Sequence, residues 1–527
     1  MSVVLLCVLA LLTPQETRRA AAVSVFSVGS ERSVRDGLQG DLDGDGADDL
    51  ALAVSRKTGG REIVIFKARN DPKLPRFAAP ADATVELTPD VVAWAIGEVD
   101  ASSPGRELVL FSAHASFVCR AFGAPEQRFA RLIECEFLWQ IPGDETCFAY
   151  PAALVDLDRD GALDLCVPEP GSYAIARQVR GENGAPSTFP AVLRLRVPLE
   201  IAAREADESR FGSKGNRPKD ETRGSAVEIN FGAPEGRKRT LLSVEEEVPA
   251  PQLSDFDGDG RLDVQAQGRR SLWVWLQAAD GSFASAPQLS YPLPVPVDRE
   301  RSLDTSYSAH VLDADKDGRS DVAIFAGDRR SEDVRTQVLL FLQGKGRGEA
   351  AKTPQAPLFG PKNLPQQLLV LGGFGAGAYF DDLDGDGRPD LFVRTVRPDL
   401  IDQLRSASSE TIDADVLVYK NENGELSKKP ALSWRVAVPI KDFELTLRFI
   451  GDLDGDRISD LVVRSEPERL RFLAMRRAKD GWQLDQRALF ETSIRPEAEI
   501  LLLQRSDRAI SDVAVIEDAQ VMLIRFP

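Results

Sequence analysis

The sequence predicts an all-β fold, namely a β-propeller of four-stranded blades that is closed by pairing of the N-terminal strand into the last blade. Three observations support this prediction. An acidic motif recurs along the chain at intervals of roughly 60 to 115 residues, which indicates a repeat architecture. Each repeat contains short strand patterns with turn-rich connections and no sustained helical period. The two ends of the chain carry strand patterns that could complete one blade together.

The acidic motif has the pattern D-x-D-x-D-G-x-x-D, followed by an aliphatic residue. Five copies are complete, and a sixth keeps the four acids but has Arg457 in place of glycine. We call each copy an acidic loop and number its positions from one, the first acid, to nine, the last acid. The acids of the six loops are Asp41, Asp43, Asp45 and Asp49; Asp156, Asp158, Asp160 and Asp164; Asp255, Asp257, Asp259 and Asp263; Asp313, Asp315, Asp317 and Asp321; Asp382, Asp384, Asp386 and Asp390; and Asp452, Asp454, Asp456 and Asp460.

These residue types at this spacing predict calcium sites. Positions one, three and five place three carboxylates on one side of a tight loop, position seven can offer its backbone carbonyl, and position nine adds a fourth acid. Such an all-oxygen cage suits Ca²⁺, which accepts roughly six to eight oxygen ligands in irregular geometry. We therefore expect about six Ca²⁺ sites, with the glycine at position six serving the sharp turn.

An EF-hand begins with the same letters but requires a glutamate at position twelve and flanking helices. Position twelve is apolar in every copy here, as is position ten, and this alternation has the period of a strand. The residues at position twelve are Leu52, Val167, Ala266, Ile324, Val393 and Val463. An acidic hairpin turn without metal would explain one copy, whereas six copies with the same four acids favour calcium.

Two weaker units fill the gaps between the complete motifs. Residues 97–110 keep the spacing of the motif without its full set of acids. Residues 505–515 form a degenerate copy near the C-terminus. Counting both gives eight blades, with seven as the alternative if one degenerate unit is miscounted. In the unit around Asp255, the first strand is expected to end at Leu253, and the other three strands are expected to span 262–265, 271–276 and 288–295.

The chain termini predict how the ring closes. The last unit has strand patterns at 513–516 and 521–526 but no fourth strand after them. Residues 23–28 (V-S-V-F-S-V) form a strand pattern before the first acidic loop, and pairing it into the last blade would remove a sheet edge. The long interval between Asp156 and Asp255 contains a charged stretch at about 202–239, which is expected to be a surface insertion.

The N-terminal residues predict export. Residues 3–12 are an apolar run that is too short to span a bilayer, followed by a polar segment and three alanines, as in a secretory signal peptide. We expect residues 1–22 to be the signal peptide and 23–527 to be a single propeller domain with no transmembrane segment. The expected location is secreted, periplasmic or on the cell surface.

Composition narrows the partners. The net charge of −18 argues against nucleic acid as a partner, and the acidic loops hold much of the negative charge.

The chain has only two histidines, His114 and His310. Four cysteines beyond Cys7 suggest two disulfides, preferably Cys119–Cys135 and Cys147–Cys166, with free buried thiols as the alternative.

The six copies of D-x-D-x-D-G-x-x-D followed by Leu or Val resemble the FG-GAP/VCBS repeat family, which includes the calcium-binding propeller domains of integrin α subunits. The resemblance covers essentially the whole chain after residue 22. It implies a propeller in which each calcium loop joins the first two strands of a blade. The second and eighth units depart from the pattern, and no metal site is expected there.

Three functions remain open from the sequence. The preferred one is an exported, non-enzymatic binding or adhesion module that recognises a protein or a glycan. The second is a polysaccharide lyase, for which Tyr307 and His310 would be the candidates, although a spacing of three places them on opposite faces of one strand. The third is a periplasmic scaffold subunit, since propeller faces often bind partners and the fold alone does not decide function.

Overall fold

The structure is a computed structural model that describes residues 21–526, apart from positions 70, 72–74, 125–127, 139–146, 182–184, 199–202, 206–225, 230–241, 246–247, 269–270, 294–304, 329–334, 344–364, 397–410, 440–446, 480 and 505–510. The segment on which the signal-peptide prediction mainly depends, and most of the 202–239 insertion, lie outside these described residues. Within them, no helix has the length and apolar character needed to cross a bilayer.

Within the described residues, eight sheets form the blades, and they are antiparallel apart from one strand added to blade two. Strand β1 (Ala22–Ser27) belongs to the last blade. Blade one contains β2 (Arg32–Gly40), β3 (Asp49–Arg56), β4 (Arg61–Phe66) and β5 (Ala83–Leu87). Blade two contains β6 (Val91–Gly97), β7 (Glu107–Ser112), β8 (Ala115–Cys119) and β9 (Phe129–Glu134), and β10 (Phe148–Ala149) adds to β6 in parallel. Blade three contains β11 (Leu154–Val155), β12 (Asp164–Glu169), β13 (Ser172–Ala176) and β14 (Val192–Arg196).

A separate three-stranded sheet lies between blades three and four in the chain, formed by β15 (Ala203–Glu205), β16 (Ala226–Ile229) and β17 (Leu242–Glu245). Blade four contains β18 (Gln252–Ser254), β19 (Asp263–Gln267), β20 (Ser271–Trp275) and β21 (Leu289–Pro292). Blade five contains β22 (Thr305–Leu312), β23 (Asp321–Asp328), β24 (Arg335–Phe341) and β25 (Gln367–Gly372). The four strands expected around Asp255 are confirmed, with ends that differ by a few residues.

The last three blades complete the ring. Blade six contains β26 (Phe374–Asp381), β27 (Asp390–Val396) and β28 (Thr411–Tyr419), then a hairpin of β29 (Asn421–Glu422) and β30 (Glu425–Leu426), then β31 (Leu432–Pro439). Blade seven contains β32 (Arg448–Phe449), β33 (Leu461–Glu466) and β34 (Arg469–Leu473), then a hairpin of β35 (Met475–Ala478) and β36 (Gly481–Leu484), then β37 (Phe490–Ser493). Blade eight contains β38 (Glu499–Gln504), β39 (Ser511–Glu517) and β40 (Gln520–Arg525).

Strand β1 supplies the fourth strand of blade eight, where it pairs antiparallel with β40 from Ala22 opposite Arg525 to Ser27 opposite Gln520. The predicted closure and the count of eight blades are therefore confirmed, and the seven-bladed alternative is wrong. Closure gives blade eight four strands and joins the two ends of the chain within one sheet.

The apolar core consists of eight clusters within the described part of the chain, one between each pair of neighbouring blades. The cluster between blades eight and one includes Phe26 from β1 and Phe66 from β4, whose ring centroids are 4.7 Å apart. Alternating strand residues supply these clusters because successive side chains point to opposite faces of a blade. Each blade is therefore held by apolar burial on both of its faces.

The preferred disulfide pairing is wrong, since Cys119, Cys135, Cys147 and Cys166 are all free and buried. Cys119 and Cys135 lie at opposite ends of the β8–β9 hairpin, where Cys119 faces Phe129 and the Cys135 amide donates to the His114 carbonyl. Those ends are five residue steps apart along the strand, about 16 Å, which is beyond the reach of a disulfide. Burial raises the pKa of each thiol to about 12, so these cysteines are packing residues.

Candidate metal centres

Each acidic loop joins the first strand of a blade to its second strand. The loop that begins at Asp41 connects β2 to β3, and the others occupy the same place in blades three to seven. First strands of neighbouring blades approach one another, as β2 approaches both β6 and β38, so these strands line the centre of the ring. Equivalent connections in a propeller emerge on one face, and the six loops therefore share that face.

The acid at position one organises the backbone of its loop. In the first loop, Asp41 Oδ1 accepts hydrogen bonds from the amides of Gly44 (2.7 Å) and Asp45 (3.1 Å), and Asp41 Oδ2 accepts one from Gly46 (2.9 Å). The Asp45 amide also donates to Asp43 Oδ1 at 3.2 Å. The bonds from positions five and six recur in the loops that begin at Asp156, Asp255 and Asp313.

In five of the loops, three of the four predicted ligands converge. One carboxylate oxygen from each member of the following sets lies within 4.8 Å of those of the other members: Asp41, Asp43 and Asp45; Asp156, Asp158 and Asp160; Asp255, Asp257 and Asp259; Asp313, Asp315 and Asp321; and Asp382, Asp384 and Asp390. In the first three sets the converging acids come from positions one, three and five. In the last two sets the acid at position nine takes part.

The acid at position nine ties its loop to the third strand of the blade. Asp263 Oδ2 accepts from the Phe256 amide at position two, and Asp263 Oδ1 accepts from the Gln277 amide just after β20, both at 2.8 Å. The same pair of bonds is made by Asp49, Asp164, Asp321 and Asp460. These carboxylates are almost completely buried, so each bond replaces one that water would otherwise provide.

Burial raises the pKa of all six position-nine acids. The pKa rises to about 6 for Asp49 and Asp164, to about 7 for Asp263, Asp321 and Asp390, and to about 8 for Asp460. The amide donors oppose this effect, and the other carboxylates of the loop add to it. A cation in the loop would favour the ionised form and counteract the shift.

The residue at position two joins the loop to the core between its own blade and the next. These residues are at most 3% exposed: Leu42, Leu157, Phe256, Ala314, Leu383 and Leu453. Three of their carbonyls also accept from a side-chain amide of the next blade, in the pairs Gln277–Leu157 (3.2 Å), Gln343–Phe256 (3.0 Å) and Asn421–Ala314 (2.8 Å). The acidic loops thus lie at the junctions between blades.

Position six adopts a left-handed backbone in every loop. The glycines there have φ between 77° and 90°, and Arg457 in the sixth loop has φ of 70°. The predicted use of glycine at this position is confirmed, because a side chain in this conformation is strained. The sixth loop keeps the same backbone with an arginine, and the Arg457 amide still donates to Asp452 Oδ2 at 2.7 Å.

Basic side chains approach several loops from outside the motif, and the motif itself does not predict them. The position-three acid is contacted by Lys67 in blade one (2.8 Å to Asp43), by Arg177 in blade three (3.4 Å to Asp158) and by Lys420 in blade six. Each of these residues directly follows the third strand and faces the position-nine acid in register. In blade seven, Arg476 on β35 contacts both Asp454 and Asp456.

The two degenerate units depart from the motif in different ways. In blade two, Glu107 takes the place of the position-nine acid, since its Oε2 accepts from the amides of Val99 (3.1 Å) and Asp100 (3.2 Å). Arg120, which follows the third strand, forms an ion pair with Asp100. In blade eight, Asp512 is buried at the matching register position opposite Arg525, and the worn loop at 505–510 lies outside the described residues.

The two histidines have different environments. His310 packs edge-on against Phe325 and Phe380, with ring centroids 5.1 Å and 6.0 Å away, and burial lowers its pKa. His114 is exposed in the turn between β7 and β8. Neither histidine lies in an acidic loop.

The donor set fits Ca²⁺ on two grounds. The converging atoms are all carboxylate oxygens, which a hard divalent cation prefers. In the loop of blade six, Asp382 Oδ1 and Asp390 Oδ2 are buried carboxylate oxygens that receive no hydrogen bond within the described structure. Buried oxygens of this kind normally have a partner, and a coordinated cation would provide it.

Comparison with known proteins supports the family resemblance in part of the chain. Curated proteins gave no match. A crystal structure of Sqt1 from Chaetomium thermophilum aligns at 11% identity over 97% of this chain and 98% of that chain, with a TM-score of 0.40, a likeness too slight to bear on function. The family model of the FG-GAP-like repeat matches residues 255–324, which begin at the acidic loop of blade four and include that of blade five. The predicted resemblance is thereby confirmed, since residues 255–324 match the model of an FG-GAP-like repeat.

Proposed function

We propose that the acidic loops that keep glycine at position six bind Ca²⁺. The ligands would be the carboxylates at positions one, three, five and nine, with the carbonyl at position seven as a further oxygen. In each of these five loops, three of the four carboxylates converge at a blade junction, and this convergence is the observation that carries the proposal. The ion would supply charge neutralisation, without which several carboxylates within 4.8 Å repel one another.

The role that we propose for the ion is structural. A bound cation would connect positions one, three and five to the position-nine acid, which already holds the end of the third strand. Since position two of the same loop is buried between two blades, stiffening the loop also stiffens the junction. The Lys67 side chain is 40% exposed and has a flexible stem, so its ammonium group can withdraw to solvent when the ion enters.

We propose further that the propeller is an exported, non-enzymatic module that binds a protein or a glycan. The FG-GAP-like repeat, the eight-bladed ring and the signal-peptide pattern at residues 3–12 support this function. If the loops serve the blade junctions, ligand recognition is left to other surfaces of the ring.

The test is capture of the protein, expressed without residues 1–20, on a panel of immobilised polysaccharides and cell-surface extracts in calcium, in chelator, and in chelator followed by restored calcium. Retention that is lost in chelator and recovered with calcium, without new products, is the expected result. Unsaturated sugar ends in the eluate would instead identify a lyase. Absence of retention on every surface would contradict a glycan or cell-surface ligand.

A further inference from the structure

The sixth acidic loop, in blade seven, already contains a cation of the protein itself. Arg476 directs Nη2 to Asp454 Oδ2 and Nη1 to Asp456 Oδ2, so one guanidinium joins the acids at positions three and five. These are two of the side chains that would hold Ca²⁺ in the other loops. The arginine side chain is 30% exposed, that of Asp454 is 13% exposed and that of Asp456 is 32% exposed, so the contact is partly shielded from water and most strongly so at Asp454.

The backbone of blade seven fixes Arg476 in this place. The preceding residue, Met475, is fully buried, and its amide donates to Asp460 Oδ1 at 3.1 Å. Arg476 also pairs with Gln483 across the β35–β36 hairpin. The position-nine acid of the loop therefore anchors the strand that carries the arginine, and the guanidinium is placed by the same contact that orders the loop.

In blade two, an arginine guanidinium also pairs with an acid of the loop between the first two strands. Its degenerate loop has lost most of its acids, and Arg120 pairs there with Asp100, which also accepts from Ser102 and Ser187. By contrast, Lys67, Arg177 and Arg261 each contact one acid of their loops, namely Asp43, Asp158 and Asp259. Lys420 contacts two, Asp384 and Asp386, but through a single ammonium nitrogen on a flexible stem.

We propose that Arg476 is the permanent counter-ion of the sixth loop, and that this loop is closed without a divalent cation. The inference rests on the proposed calcium binding of the other loops and reduces the predicted six sites to five. A planar guanidinium that bridges two carboxylates forms charge-assisted bonds and stays charged at any pH of interest. An entering Ca²⁺ would have to displace it and leave it repelled by the ion.

The cage beneath the arginine is nevertheless retained. Asp454 Oδ1 is buried and receives no hydrogen bond within the described residues, and the Asp452 carboxylate accepts from the same loop amides as in the other loops. Removing the guanidinium should therefore uncover a calcium site. This gain is an outcome that a merely structural arginine would not produce.

The experiment counts bound Ca²⁺ per chain by equilibrium dialysis and metal analysis, on folded protein that has been stripped with chelator. Asp456→Ala is compared with Asp259→Ala, its counterpart at position five of blade four, where the acid likewise accepts from the position-seven amide. Arg476→Met is compared with Arg495→Met, because Arg495 pairs with Glu517 and Asp518 outside any acidic loop.

We expect Asp456→Ala and Arg495→Met to bind as many ions as the wild type, Asp259→Ala one fewer, and Arg476→Met one more. Loss of an ion in Asp456→Ala, or no gain in folded Arg476→Met, would overturn the inference. If Arg476→Met does not fold, Asp456→Ala decides alone. If the wild type binds no calcium, the proposed calcium binding of the other loops fails. In that case, one bound ion per chain in Arg476→Met would still support the role of the arginine. Zero bound ions in Arg476→Met would refute that role.

Discussion

At the scale of single residues, substitutions at position six of the acidic loops measure the free-energy cost of a left-handed backbone conformation. Gly46 has φ of 87°, and a Cβ built there meets no atom within 4 Å, so Gly46→Ala should cost only the left-handed strain, about 1 kcal/mol of unfolding free energy. Arg457→Gly should relieve the same strain and stabilise by about 0.5–1 kcal/mol. Urea unfolding in chelator measures both, and changes of the same sign would contradict this interpretation.

Glu107 in blade two predicts a dependence of stability on pH. Burial raises its pKa to about 7, helped by Glu98 and Asp100 and opposed by the Ser103 hydroxyl and the Val99 amide. Because the pKa in the folded protein lies above the unfolded value near 4.5, its stabilising effect is complete below about pH 4.5 and is lost as pH rises through 7.

The comparison that isolates this residue is Glu107→Gln, whose amide can offer its oxygen to the Val99 and Asp100 amides and its nitrogen to Ser103. The wild type should lose stability relative to Glu107→Gln between about pH 4.5 and 8, as measured by denaturant unfolding at several pH values. Parallel profiles for the two proteins would show that the carboxyl does not titrate in this window.

At the scale of elements, the position-nine acid is the contact on which each blade depends. Asp263→Ala would leave the buried amides of Phe256 and Gln277 without acceptors, and we expect a loss of about 2–4 kcal/mol in unfolding free energy, measured in chelator so that no metal contributes. The control is Asp280→Ala in a fully exposed turn of the same blade. A loss no larger than that of the control would remove position nine from this role.

The strands and the acidic loops could be predicted because their signals are local. Alternating apolar residues place β19 and β20, and four acids at fixed spacing place each loop next to a strand. The contacts between blades could not be predicted. The Gln277 side chain donates to the Leu157 carbonyl, and the Asn421 side chain donates to the Ala314 carbonyl. Each acceptor lies more than a hundred residues earlier in the chain.

The basic partners of the loops were missed for a similar reason. Lys420 and Arg476 lie 36 and 22 residues after the acids they contact, beyond strands and hairpins that the motif does not include. The strand register could have predicted some of these basic residues. The residue opposite the position-nine acid is basic in several blades (Lys67, Arg120, Arg177, Lys420 and Arg525) but is leucine in blades four and five (Leu276 and Leu342).

At the scale of the whole molecule, the ring is a cycle of equivalent junctions. Each junction has an apolar cluster between two blades, and at six of them the position-two residue of an acidic loop belongs to that cluster. Strand β1 completes the cycle by bringing Phe26 into contact with Phe66 and Phe77 of the first blade. Weakening one junction therefore strains a closed structure rather than freeing one end.

The charge of the molecule adds a global term to these local contacts. The chain carries a net charge of −18, and its acidic loops lie on one face of the ring, so repulsion within and between loops opposes closure. Divalent cations at the blade junctions would offset this repulsion where it is strongest. The calcium dependence of stability is therefore the property that separates a structural metal site from a set of acidic turns.

The most direct test is thermal unfolding of the wild-type protein in millimolar calcium, in millimolar magnesium and in chelator. Binding to the folded state alone raises the melting temperature by mass action, and several sites at blade junctions should together raise it by about 5 °C or more, in calcium and not in magnesium. An equal melting temperature in calcium and in chelator would contradict the claim that calcium in the acidic loops holds the blades together.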